Sequence, residues 1–271
     1  MDFARGKSVL LTGASAGIGR ELALALASQG ARLALAARDS ARLEEVAAAC
    51  RERGRERGGE AIVLAADVSL QGDCTTLVDR TVAALGGIDL LLLNAGQDMA
   101  ARVDELVEPE VLERIVRVNY LGPAWLTWRA LPHLKQSRGR IVVVSSLAGL
   151  TGVPTRSGYA ATKHALHGFF DSLRIELAGS GVSVTLACPD FVKSEIHRRA
   201  LGPDGKAAGV SPIQEDRVMT AARCAALILR AAAARKRLAV LSLRGRLGRY
   251  VRVFAPGLID RIAARAVAVG H

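Results

Sequence analysis

The 271-residue chain has few of the residues that staple small proteins. Its four cysteines, Cys50, Cys74, Cys188 and Cys224, are scattered, and none forms a CxxC pair. A disulfide scaffold is therefore excluded, no metal-ligand set is assigned, and reduced thiols in a cytosol-like compartment are expected. Eight prolines, and 27 glycines without a period, exclude collagen-like and mucin-like chains. Aromatics are only 4% of the residues. The basic residues have little aromatic interleaving, so nucleic-acid binding is not expected. No apolar run reaches the roughly 18 charge-free residues of a membrane span. Met1–Lys7 is polar, and Ser8-Val9-Leu10-Leu11 is too short for a signal-peptide core. A cytoplasmic location is the expectation.

Half of the residues are hydrophobic and 23% are charged, which excludes disorder. A chain of this length buries roughly three quarters of its unfolded surface without staples. The 37 basic residues outnumber the 26 acidic ones, for a formal charge of +11. That excess suggests an anionic partner, whether nucleotide phosphate, acidic lipid or nucleic acid.

Short, almost wholly apolar runs recur at Ser8–Leu11, Leu33–Ala36, Ala61–Ala65, Ile88–Leu93, Arg140–Ser145, Val182–Ala187 and Leu238–Leu241. Ala- and Leu-rich stretches with helical spacing lie between them. Strands without polar alternation are buried on both faces, as in a parallel sheet covered by helices. The alternation predicts a single-domain, doubly wound α/β fold. Two stretches depart from it. Arg51–Gly59 (RERGRERGG) is predicted to fray the end of the second helix. Residues 195–215, with Gly202-Pro203-Asp204-Gly205, Gly209 and Pro212, read as a mobile excursion.

Thr12-Gly13-Ala14-Ser15-Ala16-Gly17-Ile18-Gly19 follows the first strand and opens a helix. Glycines there permit a tight turn and close approach of a pyrophosphate, and the helix N-terminus offers free N–H groups. At the end of the second strand, where an acidic residue would bind a ribose 2′-hydroxyl, stands Arg38. Arg38 could clamp a 2′-phosphate with help from the Ser15 hydroxyl, which favours NADP(H) and leaves NAD(H) as the alternative. Asp39 is better placed as a helix N-cap.

Tyr159 and Lys163 are four apart in a helical stretch, so they share a face one turn apart. An ammonium beside a phenol is expected to lower the phenol's pKa, and such a phenol can exchange a proton with a carbonyl or alcohol oxygen. The fifth apolar run delivers Ser145 and Ser146 at its C-terminal end, where ligands of open α/β sheets bind. Ser146 can reach the same substrate oxygen, and Ser145 is read as structural. Asn94-Ala95-Gly96 ends the fourth run as a small-residue turn that lets a ribose pass. Asn119 lies in a helical segment, where Asn is unfavourable, which suggests a buried polar role beside Lys163.

Together these residues resemble the short-chain dehydrogenase/reductase family. The matching pieces occur in family order over residues 7 to about 195: TGASAGIG at 12–19, Asp67-Val68, NAG at 94–96, Asn119, Ser145-Ser146 and YxxxK at 159–163. The resemblance implies a Rossmann-type fold with a seven-stranded parallel sheet and NAD(P)-dependent oxidoreductase activity. It implies a tetrad of Asn119, Ser146, Tyr159 and Lys163. Tyr159 would be the acid/base and Ser146 would position the substrate oxygen. Lys163 would bind the nicotinamide ribose and tune Tyr159, and Asn119 would support a relay water. It further implies cofactor contacts at Gly13, Ser15, Gly17, Ile18, Gly19, Arg38, Asp67, Val68, Asn94, Ala95 and Gly96, and at Pro189, Val192 and Ser194 after the sixth strand. Ser194 either contacts the carboxamide or caps a helix. The stretch from Ser145 through Phe170 is similar to hydroxysteroid and retinol dehydrogenase-like branches, which suggests a hydrophobic alcohol or ketone. An NAD(P)-binding sensor or scaffold on the same fold is the alternative function. One departure stands out: Pro189-Asp190 replaces the family's usual Pro-Gly. A homodimer or homotetramer is implied, commonly through the helices holding Asn119 and Tyr159, with Phe169 and Phe170 placed either there or in the core.

The basic segment 244–268 carries Arg244, Arg246, Arg249, Arg252, Arg261 and Arg265 between apolar residues at three- and four-residue steps. It reads as an extension of a catalytic domain spanning 1–243. Pro256-Gly257 should break it into two pieces. It could lie on an anionic membrane, cap the substrate pocket, or pack on a second subunit.

Overall fold

The computed structural model describes residues 3–209 and 218–268. The strands are β1 Ser8–Thr12, β2 Arg32–Ala37, β3 Glu60–Ala65, β4 Leu90–Leu93, β5 Arg140–Val144, β6 Ser183–Cys188 and β7 Leu238–Val240. They match the seven apolar runs closely. All pair in parallel, in the order β3-β2-β1-β4-β5-β6-β7.

The helices between them are α1 Gly17–Ala27, α2 Ser40–Gly54, α3 Gln71–Leu85, α4 Glu110–Val116, α5 Gly122–Ser137, α6 Ser157–Glu176 and α7 Ala221–Ala233. Val9, Leu11, Leu92 and Val142 bury against α1, α2 and α7. The intervening Leu10, Leu91, Leu93 and Ile141 bury against α3, α5 and α6. Both faces of the sheet are covered, so the strands carry no polar alternation. Strand order reverses between β1 and β4, which opens a crevice at their C-terminal ends.

Several local expectations are corrected. The Arg51–Gly59 stretch is not frayed: α2 continues to Gly54, a 3-10 turn covers Arg55–Arg57, and Arg51 Nε donates to the Ala61 carbonyl at 2.9 Å. The described part of the excursion is docked rather than loose. Leu201 bridges to Met99 and Ala207, and Ala200 and Leu201 are buried. The rest of that excursion, including Pro212, lies outside the described residues. Asn119 sits in a π-helical turn, Arg117–Leu121, between α4 and α5. Phe170 is wholly core, and Phe169 packs edge-on between it and Tyr120. The C-terminal segment forms two helices, α8 Leu243–Phe254 and α9 Pro256–Ala268, broken where Pro256 predicts. All four cysteines are buried and free. Among the described residues, no helix is long and apolar enough to cross a membrane.

Candidate active site

The crevice at the strand ends widens into one continuous cleft of about 840 Å³. Its floor at one end is the loop between β1 and α1. Gly13 has φ +65°, and a Cβ there would meet Ala95 Cα at 2.8 Å. A Cβ on Gly19 would lie 2.0 Å from the Gly13 carbonyl oxygen. Glycine at both positions is what lets helix, loop and β4 close on one another. Asn94 fixes this arrangement by donating from Nδ2 to the Thr12 and Gly13 carbonyls, both at 3.1 Å.

Helix α1 begins at Ala16 with no side-chain cap and no acidic residue in its first turn. Its first N–H groups therefore have no side-chain partner, and they face the cleft beside Gly13, Ser15, Gly17 and Ile18. This arrangement suits an anion and fits a dinucleotide pyrophosphate. Gly19 does not line the cleft; its part is the close packing just described. Arg38 borders the cleft, exposed and with no ion pair to any described residue. Its neighbour Asp39 caps α2 by accepting from Arg42 N at 3.1 Å. Asp67, Val68, Ala95 and Gly96 continue the wall, and Pro189, Val192 and Ser194 line it beyond β6.

The other end holds Ser146, Tyr159 and Lys163, all facing the cleft. Ser146 leaves β5 and accepts from Ala148 N at 3.1 Å. Lys163 Nζ is buried, lies 5.4 Å from the Tyr159 ring centre, and donates to the Val144 carbonyl at 2.9 Å. The pairing predicted from the spacing is present, but the predicted lowering of the phenol is not. Burial pushes the Tyr159 hydroxyl upward, the Asp98 charge adds to that, and a hydrogen bond with Ser146 opposes it. Burial lowers the Lys163 ammonium to about 8. Both groups are removed from water, so desolvation outweighs their mutual influence.

Asn119 has no exposed surface and no face on the cleft. Its Oδ1 accepts from Gln97 N at 2.8 Å, and its Nδ2 donates to the Gln97 carbonyl and Thr162 Oγ1. The side chain thus ties the loop after β4 to α6. Ser145 is bound to His167 Nε2 at 3.1 Å, in keeping with a structural part.

Two charge clusters at this end escaped the reading of the sequence. Asp98, 1% exposed, pairs with Arg156 and with His197 Nδ1, each at 3.2 Å. Asp190 turns away from the place of the usual glycine. It accepts from Ser242 Oγ at 2.7 Å and takes a two-point contact from Arg244. Burial pushes its carboxyl up, but the bonds from Arg244 and Ser242 outweigh that and hold it below the usual carboxylate range. Asp190 thereby fastens α8 to the loop after β6. The only signals in the sequence were an acidic residue after NAG and the missing glycine. Neither revealed its partner. Leu247, Leu258 and Ile262 of α8 and α9 roof the cleft.

The pattern of the family described as short chain dehydrogenase matches residues 7–202. The 11-beta-hydroxysteroid dehydrogenase-like 2 of Arabidopsis thaliana is 38% identical over 191 residues, covering 70% of this chain and 61% of that protein. The chain thus spans under two thirds of the length of that relative. A Dictyostelium discoideum protein named dehydrogenase/reductase SDR family protein 7-like is 32% identical over 258 residues, 94% of this chain and 80% of that one. Among solved structures, an alcohol dehydrogenase from the archaeon Thermococcus sibiricus complexed with 5-hydroxy-NADP superposes with a TM-score of 0.72 at 27% identity, covering 88% of this chain and 95% of that one.

Proposed function

The chain belongs to the short-chain dehydrogenase family, and on that premise we propose that it interconverts a ketone or aldehyde and the corresponding alcohol on a hydrophobic substrate, using NADP(H). The observation that carries this reading is the meeting of Ser146, Tyr159 and Lys163 in the same cleft as an uncapped, glycine-built anion site. A sensor or scaffold needs the anion site but has no use for a buried phenol and amine beside it.

When bound, the nicotinamide supplies or takes the hydride. The chain's own residues do the rest. The Tyr159 phenol, kept protonated by burial, donates its proton to the carbonyl oxygen during reduction. Ser146 hydrogen-bonds the same oxygen. Lys163, whose amine is close to Gly96, would hold the nicotinamide ribose. Asn119 acts through its bonds to Gln97 and Thr162, holding the loop and α6 in register.

The exposed guanidinium of Arg38, with Ser15 across the loop, supports preference for a 2′-phosphate. Apolar side chains of α8 and α9 at the roof support a hydrophobic substrate and a lid role. Exposed Leu247, Phe254 and Leu258 beside the arginines of this hairpin also favour contact with an anionic membrane surface. Trp128 on α5 and Ile175 on α6, both exposed, support assembly with a second copy through these helices.

A panel of steroid, retinoid, acyl-ketone and small-aldehyde substrates, followed by NADPH absorbance, tests the main reading. Turnover with NADPH above NADH is expected, with the preference weakened in Arg38→Ala. No turnover across the panel defeats the oxidoreductase reading, and equal efficiency with both cofactors defeats the NADP(H) assignment. Flotation with anionic liposomes, with and without residues 244–271, tests the membrane contact.

A further inference from the structure

His197 comes from the segment after β6 and is buried, 8% exposed, yet it lines the cleft. Its Nδ1 lies 3.2 Å from Asp98 Oδ2. A carboxylate only accepts and a guanidinium only donates, and Nδ1 lies nearer the carboxylate than the Arg156 Nη2 at 3.4 Å, so a proton on Nδ1 suits the shorter contact. Arg156 Nη1 pairs with the same Oδ2 at 3.2 Å, and Asp98 Oδ1 accepts from Met99 N, so the carboxylate is held in place. The Phe191 ring flanks the imidazole, with the centroids 6.2 Å apart.

These contacts fix the orientation of the ring, and the shorter one favours the tautomer with the proton on Nδ1. In the neutral imidazole, Nε2 is left as an acceptor on the edge opposite Asp98. It makes no hydrogen bond to any described residue, and it is not among the buried polar atoms sealed off without a partner. A ring so firmly held, with one acceptor open on a cleft otherwise walled by Leu147, Leu150, Val153 and Phe191, has the form of a recognition group. Arg156 is the N-cap of α6, three residues before Tyr159. His197 belongs to the segment after β6 and Tyr159 to α6, so the recognition group and the proton donor are separate parts of the cleft wall.

We infer that His197 is a specificity-determining residue, whose Nε2 accepts a hydrogen bond from a hydroxyl of the substrate remote from the carbon that changes oxidation state. The favoured substrate class is then an apolar hydroxyketone or diol rather than a simple ketone or alcohol. This rests on the oxidoreductase reading above. Asp98 and Arg156 are positioning residues, acting only through the imidazole.

The test uses the full chain with NADPH and two probes: a steroid ketone carrying a distal hydroxyl, and the same ketone without it. The wild type should favour the hydroxylated probe by about 10- to 100-fold in kcat/KM, mainly through KM. His197→Asn keeps an N–H for Asp98 but has no atom at the Nε2 position. It should bring the two probes within about twofold in kcat/KM. His197→Gln, which restores a polar group near that position, should recover part of the preference. Thermal shift of the NADPH complex by each probe gives the same ranking without turnover. Full selectivity in His197→Asn, or equal efficiency of the wild type on both probes, overturns the assignment while leaving the oxidoreductase reading intact. A wild type that neither reduces nor binds either probe also overturns the assignment, while the substrate panel decides the oxidoreductase reading separately.

Discussion

The dinucleotide end of the cleft and its substrate end are held by different forces. At the first, backbone meets backbone: Gly13 lies against Ala95, Gly19 against the Gly13 carbonyl, and Asn94 bonds two main-chain oxygens. At the second, side chains from distant segments neutralise one another. Asp98 meets His197 across 99 residues, and Asp190 meets Arg244 across 54. The first end tolerates no added atom. The second depends on keeping its buried charges partnered. A shape built from main chain serves a ligand common to a family, and a lining built from side-chain pairs can be re-specified for each substrate.

The largest expected effect tests whether the substrate end is catalytic at all. Tyr159→Phe removes the proton donor and should lower turnover by roughly 10²- to 10⁴-fold. NADPH binding, followed by fluorescence, should stay within a few-fold. Near-normal turnover takes Tyr159 out of the reaction.

Next come the two kinds of construction. Gly19→Ala forces a methyl into the Gly13 carbonyl and should cost about 3 kcal/mol or more in denaturant unfolding, with loss of dinucleotide binding. Gly72→Ala in α3, where nothing lies within 4 Å, should be neutral or slightly stabilising. Similar losses in both would contradict the steric account. At the opposite end, Asp98→Asn leaves the buried Arg156 guanidinium without its counter-charge and should cost about 3 kcal/mol. A loss below about 1 kcal/mol would mean that this pair is not shielded from solvent.

The Lys163 amine offers a test by pH. Its value in the folded chain, about 8, lies below the ordinary 10.5. Between these two pH values the unfolded chain holds more proton at this residue, so the Lys163 contribution to stability rises with pH. It runs against the falling contribution of the four buried cysteines and Tyr159, whose folded values are raised. Lys163→Met should make stability fall more steeply with pH across this window than in the wild type, and an unchanged slope would place the amine in water.

The smallest effect concerns the roof. Asp190 is held below the usual carboxylate range when folded, so its contribution is present above the unfolded value near 4 and lost as pH falls through the folded one. Arg244 is largely exposed, which screens the pair. Asp190→Gly should therefore cost about 1 kcal/mol or less, but it should speed proteolysis within α8 and α9. Unaltered cleavage would show that other contacts, such as those of Arg246 to the Val240 carbonyl and Arg252 to the Leu150 carbonyl, hold the roof.

Much of the fold was legible because it is local. The β1 and β4 runs read as strands since every residue is apolar, and TGASAGIG reads as a phosphate loop since glycine spacing records backbone geometry directly. Helical periodicity put Tyr159 and Lys163 on one face, and the motifs around them singled out the pair. Asn119 was placed near the site correctly, but its π turn and its bonds to Gln97 and Thr162 had no local signature. The rise of the Tyr159 phenol was missed for a related reason. Adjacency is visible in a sequence, whereas the depth of burial that overrides it is not.

The order of apolar runs, glycines and the Tyr-Lys pair is written in the chain itself, because helical period, strand burial and glycine geometry are short-range constraints that each segment satisfies alone. Which carboxylate meets which cation, how the 195–209 segment docks, and where α8 and α9 lie over the cleft were decided only on folding. Those contacts join residues far apart in the chain, and their energies depend on how completely the assembled protein shuts out water.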